Sequence, residues 1–81
     1  MKELDSVVLM QDLIEYRLKA GDIGAIVHTY SDEKTFEVEF VRADGRTVAV
    51  LTLTINEIRP IEGNEILHVR ELETAQAREA R

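Results

Sequence analysis

The sequence predicts a single small, mainly β domain. The prediction rests on β-branched segments of strand length, on an Asp-Gly pair that joins two of them, and on a length of 81 residues, enough for one domain. A chain of this size buries roughly 60–65% of its unfolded surface, so a modest stability is expected.

Ser6-Val7-Val8-Leu9-Met10 is a short β-branched run and reads as the first strand. Residues 13–19 mix polar and apolar side chains without a period, which suits a loop wrapping a barrel. Ala20-Gly21-Asp22 signals a turn into a second strand over residues 23–30. After the polar loop Ser31-Asp32-Glu33-Lys34, residues 35–41 alternate, with Phe36, Val38 and Phe40 set against Glu37 and Glu39. Residues 47–54 are β-branched and nearly continuous. Ile55-Asn56-Glu57 suits one helical turn before a short strand at 58–61, which Pro60 confines to an edge. Ile66, Leu67, Val69 and Leu72 fit either a final strand or the first turns of a helix. Residues 74–81 favour helix by composition but lack an apolar stripe, so a frayed end is expected. The domain is therefore residues 1–72, and 73–81 form a C-terminal tail, helical or frayed.

Ala43-Asp44-Gly45-Arg46 is the strongest local signal. Asp-Gly suits a two-residue type I′ turn, whose central residues both need positive φ. That turn sets the register, with Val41 opposite Val48 and Phe40 opposite Ala49. Phe36, Val38, Phe40, Ala49, Leu51 and Leu53 then share one wholly apolar face, the core. Glu37, Glu39, Val41, Val48, Val50 and Thr52 share the other. Carboxylates beside aliphatics there could engage a partner with a basic rim and an apolar centre. The plainer alternative is that the N-terminal strand or the C-terminal tail covers the valines. Glu37, Glu39, Val41, Val48 and Val50 are the candidate partner-binding residues.

Sixteen acidic against ten basic residues give a net charge of −6. This is not the footprint of a nucleic-acid binder and suits a basic protein partner, although acidity also serves solubility. Tyr16 and Tyr30 remain outside the assigned core, too few aromatics for a stacking platform. Lys19, Arg42, Arg46 and Arg59 could cluster only through folding. The chain has no cysteine, which excludes disulfides and thiol chemistry and points to the cytoplasm. No apolar run approaches a membrane span, and the first residues do not resemble a signal peptide.

Catalysis requires positioned acids, bases or nucleophiles, and no such constellation is visible. His28 reads as a barrel-surface residue, and His68 has no second ligand at metal-binding spacing. Gly21-Asp22-Ile23-Gly24 superficially resembles a phosphate loop but lacks its lysine and following helix, so a turn entering a strand is preferred. No enzymatic activity, cofactor or metal is expected.

The order of segments is similar to a known family. Ser6-Val7-Val8-Leu9-Met10-Gln11-Asp12-Leu13, Leu18-Lys19-Ala20-Gly21-Asp22-Ile23-Gly24, Phe36-Glu37-Val38-Glu39-Phe40 through Asp44-Gly45-Arg46-Thr47, and Leu51-Thr52-Leu53 carry the likeness. Over roughly residues 4–61 the chain resembles the bacterial domain-of-unknown-function family 4926. One departure is Ile14, where the family often has proline. The resemblance implies a small SH3-like barrel of about five antiparallel strands and brings no established catalytic residues. Family members are often encoded beside small toxin-like proteins, which implies an antitoxin or immunity-type role.

The leading expectation is thus a non-enzymatic, acidic protein-binding domain, the neutralising partner of a bacterial toxin-like protein. Charge reversal at Glu37 and Glu39, or Val48→Arg, should weaken the complex without unfolding the domain. The alternatives are a nucleic-acid-binding small barrel and an adaptor subunit of a larger complex. The oligomeric state is not legible.

Overall fold

A computed structural model describes residues 1–72 of the chain. Five strands form one antiparallel sheet: β1 (Ser6–Leu9), β2 (Ile23–Thr29), β3 (Thr35–Val41), β4 (Thr47–Thr54) and β5 (Ile58–Pro60). Their order in the sheet is β4-β3-β2-β1-β5, so β4 and β5 are the edges. The expected mainly β fold of five antiparallel strands is present, as an open sheet. Leu53 of β4 and Ile58 of β5 enter the same core, yet those two strands do not pair.

Strands β1, β2 and β5 each stop a residue earlier than expected. Met10 donates its N–H to the Glu57 carbonyl outside the β1 ladder, and Tyr30 bonds across the β2–β3 loop to Thr35. Residues 13–19 are a closed loop. Leu13 and Leu18 exchange backbone hydrogen bonds around a 3-10 turn at Ile14–Tyr16. Leu18 is buried and Leu13 packs on the core, so the loop caps the sheet. Ile55-Asn56-Glu57 makes the expected single turn, closed by Glu57 N–H to the Thr54 carbonyl. Residues 61–72 form neither the final strand nor the helix expected there. The expected tail at 73–81 lies outside the described residues.

The core contains Val7, Leu9, Leu18, Ile26, Phe36, Val38, Phe40, Leu53 and Ile58. Full burial of such a side chain contributes about 1.5–3 kcal/mol. Phe36, Val38 and Phe40 occupy alternate positions of β3, which is why an alternating sequence becomes an interior strand of a one-sided core.

The hairpin differs from the two-residue type I′ turn. Gly45 alone has positive φ (+91°), while Asp44 does not. Gly45 donates to the Arg42 carbonyl and Arg42 donates to the Arg46 carbonyl, which encloses a three-residue loop, Ala43-Asp44-Gly45. This is the turn-plus-αL-glycine design of longer hairpins. The Asp44 carboxylate accepts the Arg46 N–H at 3.1 Å instead of lending its backbone to a primed turn.

The longer loop shifts the register by one residue, so Val41 pairs with Thr47 rather than with Val48. A β-bulge follows, and pairing resumes at Phe40↔Ala49 as expected. Val48 is the extra residue. It leaves the acidic face and packs against the core, so its assignment to the candidate face is corrected.

Candidate functional site

With β3 between β2 and β4, the outer face is a set of cross-strand rungs. His28 of β2, Glu37 of β3 and Thr52 of β4 form one rung. Ala25, Glu39 and Val50 form the next, and Val41 with Thr47 closes the series near the hairpin. Of the five residues expected to act together, Glu37, Glu39, Val41 and Val50 share this face. Val48 does not, and Thr47 stands in its place.

The carboxylates are held. Glu37 Oε2 accepts from the Tyr30 hydroxyl at 2.6 Å and from the Thr52 hydroxyl. Glu39 Oε2 accepts from Thr47 Oγ1 at 2.7 Å. The Thr52 hydroxyl first, then Tyr30, hold the Glu37 carboxyl below its ordinary range, so it is ionised at neutral pH. The same Glu37 bond raises the Tyr30 phenol. All three donors reach Oε2, so Oε1 of each glutamate has no hydrogen-bond donor among the described residues.

The aliphatics beside them are open. Val41 is 53% and Val50 50% exposed among the described residues, and Val41 lines one groove with residues 68–72; the tail that the alternative reading invokes lies outside the described residues. His28 lies on the surface, as expected for a strand residue, with its ring edge-on to Tyr30 at 4.8 Å and its Nδ1 4.0 Å from a Glu3 oxygen. Sequence reasoning missed His28, Tyr30 and Thr47 as members of this face. Their placement depends on the β2 bulge between Ile26 and His28 and on the hairpin bulge, neither of which disturbs the alternation visible in the sequence.

The Gly21-Asp22-Ile23-Gly24 run has structural work. Gly21 turns the chain at φ +99°. Gly24 lies so close to β3 that a Cβ would sit 2.7 Å from Val38 Cγ1 and 2.9 Å from Phe40 Cε1. Asp22 accepts the Lys19 N–H at 2.8 Å and receives the Arg70 guanidinium on both oxygens. Arg70 also donates to the Arg17 carbonyl, which ties residues 68–72 across a groove of about 640 Å³ beside Phe40 and Val48. At Asp22 partial burial raises the pKa, but the bonds from Arg70 and Lys19 outweigh it and leave a net lowering.

A pH prediction follows from the clasp. Because Asp22 titrates below its ordinary value of 3.8, its contribution is fully present above that value. It is lost as pH falls through the lowered folded value. In an NMR titration the Asp22 carboxyl carbon should show a midpoint below the ordinary value. Arg70→Ala should raise that midpoint. An Asp22 midpoint identical in both chains would remove the clasp. A second clasp joins Arg59 and Glu65, whose carboxyl the Arg59 bonds and the Glu62 N–H lower to about 2.

Three of the four cations singled out in the sequence, Arg42, Arg46 and Arg59, lie beside acids. Asp44 holds Arg42 at 3.0 Å and lies 3.7 Å from Arg46, and Glu65 holds Arg59. Among the described residues no group of three or more His, Asp or Glu could hold a metal ion, and no helix is long and apolar enough to cross a membrane.

A family model described as Domain of unknown function (DUF4926) matches residues 3–60. The chain belongs to this family. No curated protein and no solved structure matches it. The DUF4926 span contains all five strands and the whole outer face, whereas Arg70 and Glu65 lie beyond it.

Proposed function

We propose that this domain is a non-enzymatic protein-binding module whose binding face is the outer side of β3 and β4. Its partner is a basic, toxin-like bacterial protein, which the domain neutralises as an antitoxin or immunity-type protein in the cytoplasm. One observation carries the binding reading: two hydrogen-bonded glutamates stand beside the half-exposed Val41 and Val50. A partner's arginine or lysine would meet the free Oε1 atoms, while an apolar side chain would cover the valines. Because the threonine and tyrosine donors already fix the carboxylates, little side-chain freedom is lost on binding. The net charge of −6 speeds encounter with a basic surface. The toxin-like partner rests on the family resemblance alone.

The test is the affinity of the purified domain for the product of the adjacent gene. The Glu37→Lys, Glu39→Lys double variant should fold normally and bind at least tenfold more weakly, a change of about 1.4 kcal/mol or more. Unchanged affinity would exclude this face as the interface. If the adjacent protein does not bind even the unaltered domain, the toxin-like identity of the partner fails.

A further inference from the structure

The two sheet edges are built differently. Strand β5 is three residues long and ends in Pro60, the usual means of blunting an edge. Strand β4 runs for eight residues, Thr47–Thr54, with no charge, proline or glycine. Among the described residues, no backbone hydrogen bond from residues 48–53 goes anywhere but β3. On such an edge alternate N–H and C=O groups point outward unpaired. Its one irregularity is the bulge at Val48, and residues 49–54 stay in unbroken register with β3.

We propose that β4 is a self-association edge and that its occupant is β4 of a second copy of this chain, paired antiparallel about a two-fold axis through Leu51. That register keeps like with like. Leu51 faces its own copy and Ala49 faces Leu53 on the core side, while Val50 faces Thr52 on the outer side. A register centred on Val50 would instead run the seam into the bulge. Leu51 is half-buried in the monomer beside the core, so pairing extends the core across the axis.

Charge permits this pairing. The strand carries none, and the nearest outer-face acids, Glu37 and Glu39, lie on β3. Across the dimer the two β3 strands are three inter-strand spacings apart, about 14 Å. That exceeds the Debye length of about 8 Å at physiological salt. The repulsion is therefore largely screened at physiological salt, and it is lowering the salt, which lengthens the screening distance, that weakens the dimer. The seam is small beside the ~800 Å² per partner of a standard interface, so association is weak and concentration-dependent. This proposal does not rest on the toxin-like partner, because it concerns the isolated chain.

Sedimentation velocity on the full chain should show a monomer–dimer equilibrium that shifts toward dimer with concentration and with salt. The natural chain has no cysteine, so introduced thiols report directly on the seam. Leu51→Cys should form a disulfide-linked dimer under mild oxidation at least tenfold faster than Val41→Cys. Should Leu51→Cys loosen the core, a mixture of Val50→Cys and Thr52→Cys chains serves instead, and mixed dimers should outnumber either like pair. A chain that is monomeric at every concentration and salt overturns the proposal. So does a dimer in which neither cross-link is favoured, since its seam would lie elsewhere.

Discussion

Gly24→Ala is expected to lower the unfolding free energy by about 1–3 kcal/mol, and Gly24→Val by more. Gly24 has no positive φ, so the cost is not one of backbone conformation. It is one of space, since the new Cβ meets Val38 Cγ1, Phe40 Cε1 and, at 3.1 Å, the Glu39 carbonyl oxygen. Two of these belong to buried core side chains and the third to the β3 backbone. The side chains can yield only by disturbing the core, and the carbonyl only by moving β3. Gly45→Ala provides the contrast: nothing lies within 4 Å of its added Cβ, but its φ of +91° disfavours any side chain. The expected cost there is about 1–2 kcal/mol. Urea denaturation followed by circular dichroism measures both. A Gly24→Ala domain as stable as the natural one would show that β2 and β3 do not approach as described.

The second large effect separates two valines that alternation alone makes equivalent. Val48→Arg should destabilise the fold by about 1–3 kcal/mol, because it forces a charge toward the core. Val50→Arg should leave the unfolding midpoint nearly unchanged and weaken partner binding at least tenfold, since a central aliphatic contact becomes a cation facing a basic surface. The sequence expectation had Val48→Arg disturbing the complex alone. The bulge reverses that role. Thermal melts and titration calorimetry on the two variants decide the matter: a stable Val48→Arg domain, or a Val50→Arg domain with full affinity, would contradict the face assignment.

The strands were legible because β-branched residues and the Phe36-Val38-Phe40 alternation report directly on a one-sided sheet. The register from Phe40 to Phe36 was also legible, though for an incomplete reason. The loop is a residue longer than Asp-Gly implies, and the bulge at Val48 restores the count. The bulge sits in Thr47-Val48-Ala49-Val50, a run too uniform in strand propensity to reveal which residue is extra. The Asp22–Arg70 clasp joins residues 48 apart, and no local pattern announces such a pair. The place of Tyr30 on this face was hidden for a related reason, since its reach to Glu37 depends on how β2 registers against β3. Glu37, Glu39, Val41 and Val50 were within reach because the period of a strand sorts residues between faces.

The central claim, that the outer side of β3 and β4 is the partner-binding face, is tested most directly by mapping the footprint of the bound partner. Backbone and methyl NMR shifts of the domain would be recorded with and without the product of the adjacent gene. The predicted result is a contiguous set of changes over Glu37, Glu39, Val41, Thr47 and Val50, with the Arg70 segment unaffected. Changes confined to residues 61–72 or to the β1–β5 side, with this face silent, would contradict it.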